Sequence, residues 1–279
     1  MKRLRLLLLV STLVTVVLIF YFRHLSAVRI ETISLRSALT GRSLPYKVIL
    51  PRWYGLPGTS RYPVLYLLHG HGGDYTSWIA NTTLADGLSH YNLIVVTPEG
   101  GEGWYTDSAT LDADRFESFI VRELLPDVEK RFRAIPERKG RGIAGYSMGG
   151  YGALKFGLKY PQLFAFAGSL SGAFDAPNRV DNASIMKSFG PINSPTREAN
   201  DLERLAAVVS PPSLPILYFD CGNDDPWLPA NRKLHAELQR LGIQHEYREL
   251  PGSHDWAYWN RQMLELLPRA AAAISPKQP

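Results

Sequence analysis

Cysteine is almost missing from this 279-residue chain: Cys221 stands alone, so no intramolecular disulfide can form and core packing must supply the stability. Cys221 follows the apolar run Pro215-Ile216-Leu217-Tyr218-Phe219 and reads as a buried, inert thiol. No run of Lys and Arg in the body of the chain suggests a basic binding face. The formal charge is +5, but Lys2, Arg3 and Arg5 supply three of the 31 basic side chains, and the remainder nearly balance 26 acidic ones. The concentrated basic face that nucleic-acid binding requires is therefore excluded. Internal repeats are absent. So is a metal-ligand set at recognisable spacing: His69 and His71 stand two apart on an extended segment, yet no further ligands follow them, and no metal is expected.

Long hydrophobic runs are also lacking, with one exception. After a basic start, Leu6 to Phe22 form 17 uncharged residues, closed by Arg23 and His24. That length lies between a signal-peptide core of about 7–15 residues and a membrane-spanning helix of about 17–25. Residues 1–24 are thus expected to be a signal-anchor or signal peptide. Leu25-Ser26-Ala27 places a bulky Leu where cleavage wants a small residue, which favours an uncleaved transmembrane anchor. Either form puts the body outside the cytosol, in a periplasmic or extracellular location.

The whole chain is 45% hydrophobic and 20% charged, and the part after residue 24 is long enough for one large globular domain. Short apolar runs predict strands at Val28–Leu35, Tyr46–Leu50, Val64–Leu68, Leu93–Val96, Gly142–Ala144, Phe164–Leu170, Ile216–Phe219 and Glu246–Leu250. Helical spacing appears at Asp114–Phe132, Met148–Tyr160, Ala230–Leu241 and Asp255–Leu267. This alternation predicts an α/β domain over 28–270: a mostly parallel eight-stranded sheet with helices on both faces. Residues 172–214, with five prolines and little periodicity, read as an insertion or lid, and 271–279 as a disordered tail. Nothing in the sequence fixes an oligomeric state.

Three loops carry candidate chemistry. Gly145-Tyr146-Ser147-Met148-Gly149 follows a predicted strand and opens a predicted helix, the setting of a nucleophile elbow. Side chains two residues before and after such a serine would collide with the neighbouring strand and helix. Leu68-His69-Gly70-His71-Gly72-Gly73 follows another buried strand, and its glycines allow close backbone approach. The backbone N–H groups of Met148 and His71 are the expected oxyanion donors, with Gly72 as the alternative to His71. Among seven histidines, His254 alone sits in a turn between the last strand and the last helix, where it can overhang Ser147 as general base. Asp224 or Asp225, after the strand that ends at Cys221, would orient that imidazole. The order Ser, Asp, His is that of α/β-hydrolases.

Six segments in this order, LLHGHGG, GWYTDS, FESFIVRELLPDVEKRF, GYSMGGYGAL, YFDCGNDD and ELPGSHDW, resemble the esterase family that includes S-formylglutathione hydrolases, feruloyl esterases and mycolyltransferases. The resemblance spans about residues 43–268. It implies an α/β-hydrolase fold and a serine carboxylesterase without a cofactor, and it selects Asp225 over Asp224. It also implies a small-molecule or carbohydrate ester substrate, with acyl transfer to a sugar or other alcohol as the alternative. A noncatalytic carbohydrate-binding protein is a third reading. Trp104, Tyr105 and Trp227 crowd the same loops and are candidates for substrate contact. Trp256 and Trp259 read as core packing, and Glu117 and Glu123 as solvated or paired with arginines.

Overall fold

A computed structural model describes Thr15, residues 28–56, Gly58 and residues 60–274. Eight strands form one sheet: β1 (Arg29–Arg36), β2 (Ser43–Leu50), β3 (Val64–Leu68), β4 (Ile94–Pro98), β5 (Arg141–Tyr146), β6 (Phe166–Leu170), β7 (Ile216–Gly222) and β8 (Glu246–Leu250). Their order across the sheet is β1-β2-β4-β3-β5-β6-β7-β8. The β1–β2 and β2–β4 pairs are antiparallel, and every later pair is parallel.

Both faces of the central strands are covered, so both sets of alternating side chains are apolar. Val64, Tyr66 and Leu68 of β3 join one core, and Leu65 and Leu67 the other. The helices that fill these layers are α1 (Ser77–Asn81), α2 (Leu84–Gly87), α3 (Phe116–Phe119), α4 (Leu125–Arg131), α5 (Met148–Lys159), α6 (Ala183–Phe189), α7 (Pro195–Glu198), α8 (Leu202–Val208), α9 (Leu228–Arg240) and α10 (Trp256–Ile274). The expected helix over 114–132 is interrupted by a π turn at Ile120–Leu124. It lies just ahead of Pro126, which has no N–H to return to the carbonyl of Arg122.

Two expectations from the sequence differ from the structure. The last helix passes through Pro268 and includes residues 271–274, which were assigned to a disordered tail; Ala270 and Ile274 are wholly buried, and that packing outweighs the lost proline donor. Residues 275–279 lie outside the described residues. The expectation of a membrane-anchoring transmembrane helix or signal-anchor is corrected: no helix among the described residues is long and apolar enough to cross a membrane. Apart from Thr15, the 6–22 run itself lies outside the described residues.

The proline-rich stretch 172–214 contains α6, α7 and α8 and packs against the core through Ile185, Phe189, Leu202 and Ala206. Buried Arg197 holds it together, donating to the carbonyls of Gly190, Pro191, Pro177 and Arg179 at 2.5–3.0 Å. One guanidinium thus satisfies backbone oxygens that regular structure would otherwise have paired.

Candidate active site

Parallel strands end at one edge of the sheet, where open α/β proteins bind ligands. The loops after β3, β5, β7 and β8 meet there. Ser147 links β5 to α5 with φ 54° and ψ −120°, a conformation rare outside glycine and typical of strained functional turns. Its neighbours make the turn possible. A Cβ on Gly145 would lie 2.5 Å from the Gly149 carbonyl group, and one on Gly149 would lie 2.3 Å from the Leu68 oxygen. The collisions expected from the sequence are therefore real ones.

His254 stands between Ser147 and Asp225. Its Nε2 is 2.9 Å from Ser147 Oγ, and its Nδ1 is 2.8 Å from Asp225 Oδ2. Because the carboxylate only accepts, Nδ1 carries the proton and Nε2 is left to receive one from the serine. The second oxygen of Asp225 accepts the Trp227 N–H at 2.8 Å, so the carboxylate is gripped from two sides. Asp224 is exposed; its N–H and that of Asn223 instead join the β7 and β8 loops by donating to the Gly252 and Leu250 carbonyls. The Trp259 ring meets His254 edge-on at 4.9 Å, and Trp259 itself packs on Tyr146 at 4.4 Å. Trp259 is buried, as the packing expectation required.

The loop after β3 passes directly beside the serine: a Cβ built on Gly70 would lie 3.2 Å from Ser147 Cβ. Met148 opens α5, where an N–H has no acceptor within the helix. The His71 N–H donates to no backbone carbonyl among the described residues. His69 is buried and holds the loop, with Nδ1 2.8 Å from the Gly70 oxygen and Nε2 accepting the Gly100 N–H at 3.0 Å. No group of three or more His, Cys, Asp and Glu among the described residues could hold a metal ion.

The aromatic candidates divide. Tyr105 is fully buried and Trp104 nearly so. Tyr105 donates from its hydroxyl to the His69 oxygen at 3.0 Å, and Trp104 Nε1 donates to Ser184 Oγ at 3.0 Å. The polar tips of Trp104 and Tyr105, both candidates for substrate contact, are used to support the loops. Trp227 is half-buried, with the Arg179 guanidinium 5.0 Å above its ring.

Glu117, Asp220 and Cys221 are buried, and Glu123 is half-buried. Glu117 pairs with lysines and not with arginines, its oxygens 2.7 Å from Lys155 and from Lys159. Burial alone would raise its carboxyl, but the two ammonium groups outweigh that and hold it at about 2. Glu123 accepts the N–H groups of Ala38 and Leu39. Asp220, wholly buried in β7, is pushed up to about 7 by burial, against the opposing hydrogen bonds from Tyr218 at 2.6 Å and Tyr258 at 2.8 Å. Burial also pushes the Cys221 thiol well up, consistent with an inert side chain. Ser184, Asn182 and Asp220 were not singled out from the sequence, for no local pattern marks them.

Comparison with known proteins agrees with this architecture. The family described as "Putative esterase" matches residues 37–270. The acetyl esterase of Caldicellulosiruptor saccharolyticus is 33% identical over 210 residues, covering 71% of this chain and 79% of that protein. The diacylglycerol acyltransferase/mycolyltransferase Ag85A of Mycobacterium leprae is 26% identical over 251 residues, covering 76% and 75%. Among solved structures, the fluorophosphonate-binding serine hydrolase FphF of Staphylococcus aureus superposes with a TM-score of 0.80 at 25% identity, covering 88% of this chain and 99% of that one. With its sheet order, its strained serine turn and a match over most of its length, the chain belongs to this esterase family and is a serine hydrolase of the α/β-hydrolase fold.

Proposed function

We propose that this protein is a serine carboxylesterase that works through an acyl-enzyme on Ser147, with His254 as general base and acid and Asp225 orienting it. The observation that carries the reading is the unbroken hydrogen-bonded chain from Ser147 Oγ through both nitrogens of His254 to Asp225, with links of 2.9 and 2.8 Å. As the hydroxyl attacks an ester carbonyl, His254 Nε2 takes its proton, and Asp225 stabilises the imidazolium. The backbone N–H groups of Met148 and His71 receive the charge that develops on the carbonyl oxygen. His254 then returns the proton to the leaving alcohol, and water releases the acyl group by the same steps in reverse.

The acetyl esterase relative supports a small acyl group. Half-buried Trp227, beside Asp225, is the candidate substrate contact that the structure leaves partly open. The basic start followed by a 17-residue apolar run has the order of an export signal and supports a reaction outside the cytosol. Transfer to an alcohol acceptor is the second reading, supported by the mycolyltransferase relative; it uses the same residues and differs only in what attacks the acyl-enzyme. Ser147→Ala is expected to lower turnover of a short-chain aryl ester by about 10³-fold or more and to abolish fluorophosphonate labelling, with the melting temperature little changed. Retained turnover would reject the nucleophile. Product analysis with and without a sugar acceptor separates hydrolysis from transfer.

A further inference from the structure

The insertion is hydrogen-bonded to the oxyanion loop through the hydroxyl of Ser184, near the start of α6. Counting protons there leaves one arrangement. Asn182 Oδ1 accepts the N–H groups of Ser184 at 2.8 Å and Ile185 at 3.4 Å, so it is the amide oxygen and not the nitrogen. The Ser184 hydroxyl, 2.7 Å away, must spend its only proton on that oxygen. Its remaining lone pairs face Trp104 Nε1 at 3.0 Å and His71 Nε2 at 2.9 Å. An indole nitrogen only donates, and a Ser184 oxygen without a free proton only accepts. His71 Nε2 must therefore carry a hydrogen and donate it to Ser184. The carboxylate of Glu102, 3.7 Å from the same nitrogen, favours that proton as well.

This clamp acts on the middle of a glycine-flanked turn whose base is held by His69 and closed by the Gly73 N–H on the Gly70 oxygen. His71 is flanked by Gly70 and Gly72, and Gly72 has φ 74°, so the backbone there is intrinsically free. The anchor on the other side is firm. Backbone carbonyls of α6 accept from Ala109 at 2.9 Å and from the Ser108 hydroxyl at 2.7 Å, and Phe189 packs on Trp104 and Tyr151. We propose that Ser184 is a positioning residue: through the His71 ring it fixes the neighbouring backbone N–H at the place where the oxyanion forms, and so makes the insertion a part of the turnover machinery. The inference rests on the oxyanion role given to His71 above.

A donor held in advance contributes to the transition state without reorganisation, and loss of that hold appears in kcat more than in KM. Ser184→Ala is expected to lower kcat by about 10- to 100-fold with KM little changed, and Ser184→Thr to restore most of it. His71→Ala keeps the backbone N–H but removes the ring, so Ser184→Ala should cost nothing further in that background. Nitrogen NMR of the His71 ring should show the Nε2–H tautomer in the parent protein and a mixture in Ser184→Ala. A parent protein that labels at Ser147 with a fluorophosphonate, while Ser184→Ala keeps full kcat or the two losses multiply in the double variant, overturns this inference alone. Absence of labelling in the parent overturns the triad reading and this one with it.

Discussion

At its first turn, α5 meets an imidazole poised between a hydroxyl and a carboxylate; two turns further on, the same helix sends Lys155 into a cluster whose charges are fixed. Both regions are polar and enclosed, yet they are satisfied differently. In the first, His254 keeps 23% of its side chain exposed and has one partner on each nitrogen, so a proton can pass along the chain. In the second, Lys155 is fully buried against Glu117 and the Tyr105 carbonyl, and Tyr160 also donates to Glu117. Several opposed charges and donors around one carboxylate leave nothing to transfer. Reactivity here follows from incomplete neutralisation at the sheet edge, and rigidity from complete neutralisation behind it.

Breaking the first region should change rate and spare the fold. Asp225→Asn replaces an acceptor with a group that can present a donor to His254, favouring the wrong tautomer, and kcat is expected to fall by about 10⁴-fold with near-normal thermal melting. Breaking the second should do the reverse. Glu117→Gln leaves the Lys155 ammonium buried without its counter-charge and is expected to cost about 3–5 kcal/mol in a urea-unfolding measurement, while the folded fraction retains its kcat. The acid side of the stability profile sharpens this contrast. Glu117 has a folded value of about 2, below its ordinary 4.5. Its contribution is therefore complete above 4.5 and disappears as pH falls through about 2.

Asp220 belongs to both kinds of region, buried as Glu117 is but lying on the strand that leads to Asp225. Its folded value of about 7 exceeds the ordinary 3.8, so the native state holds this proton more tightly than the unfolded chain does. That contribution is full below 3.8 and is lost as pH rises through about 7. Asp220→Asn is expected to make the smallest change of the three, flattening the decline of stability between those limits in unfolding titrations. A decline that persists unchanged in the variant would assign it to another group.

Much of this was legible because strands, turns and nucleophile obey local rules. All eight predicted strands occur: continuous apolar runs fit the central strands covered on both faces, and the half-exposed edge strands β1 and β8 keep only part of that signal. Gly145, Ser147 and Gly149 were readable because a strained turn admits few residues. Asp225 could not be told from Asp224 by chemistry, since the difference is which carboxylate faces inward, a matter of three-dimensional packing. The burial of Trp104 and Tyr105 is hidden from the sequence for the same reason: an aromatic in a loop has the same composition whether its tip meets a ligand or a carbonyl. Ser184 was invisible, because its partners lie 80 and 113 residues away.

The sheet order also distributes risk. Ser147 grows out of β5, which has β3 and β6 on either side, whereas His254 follows β8, an edge strand paired with β7 alone and flanked by surface ion pairs such as Arg232–Glu249. Fraying at that rim would carry the imidazole away while the hydroxyl stayed in place. Heat or salt should accordingly silence this protein before it melts, and cooling should bring the silenced molecules back.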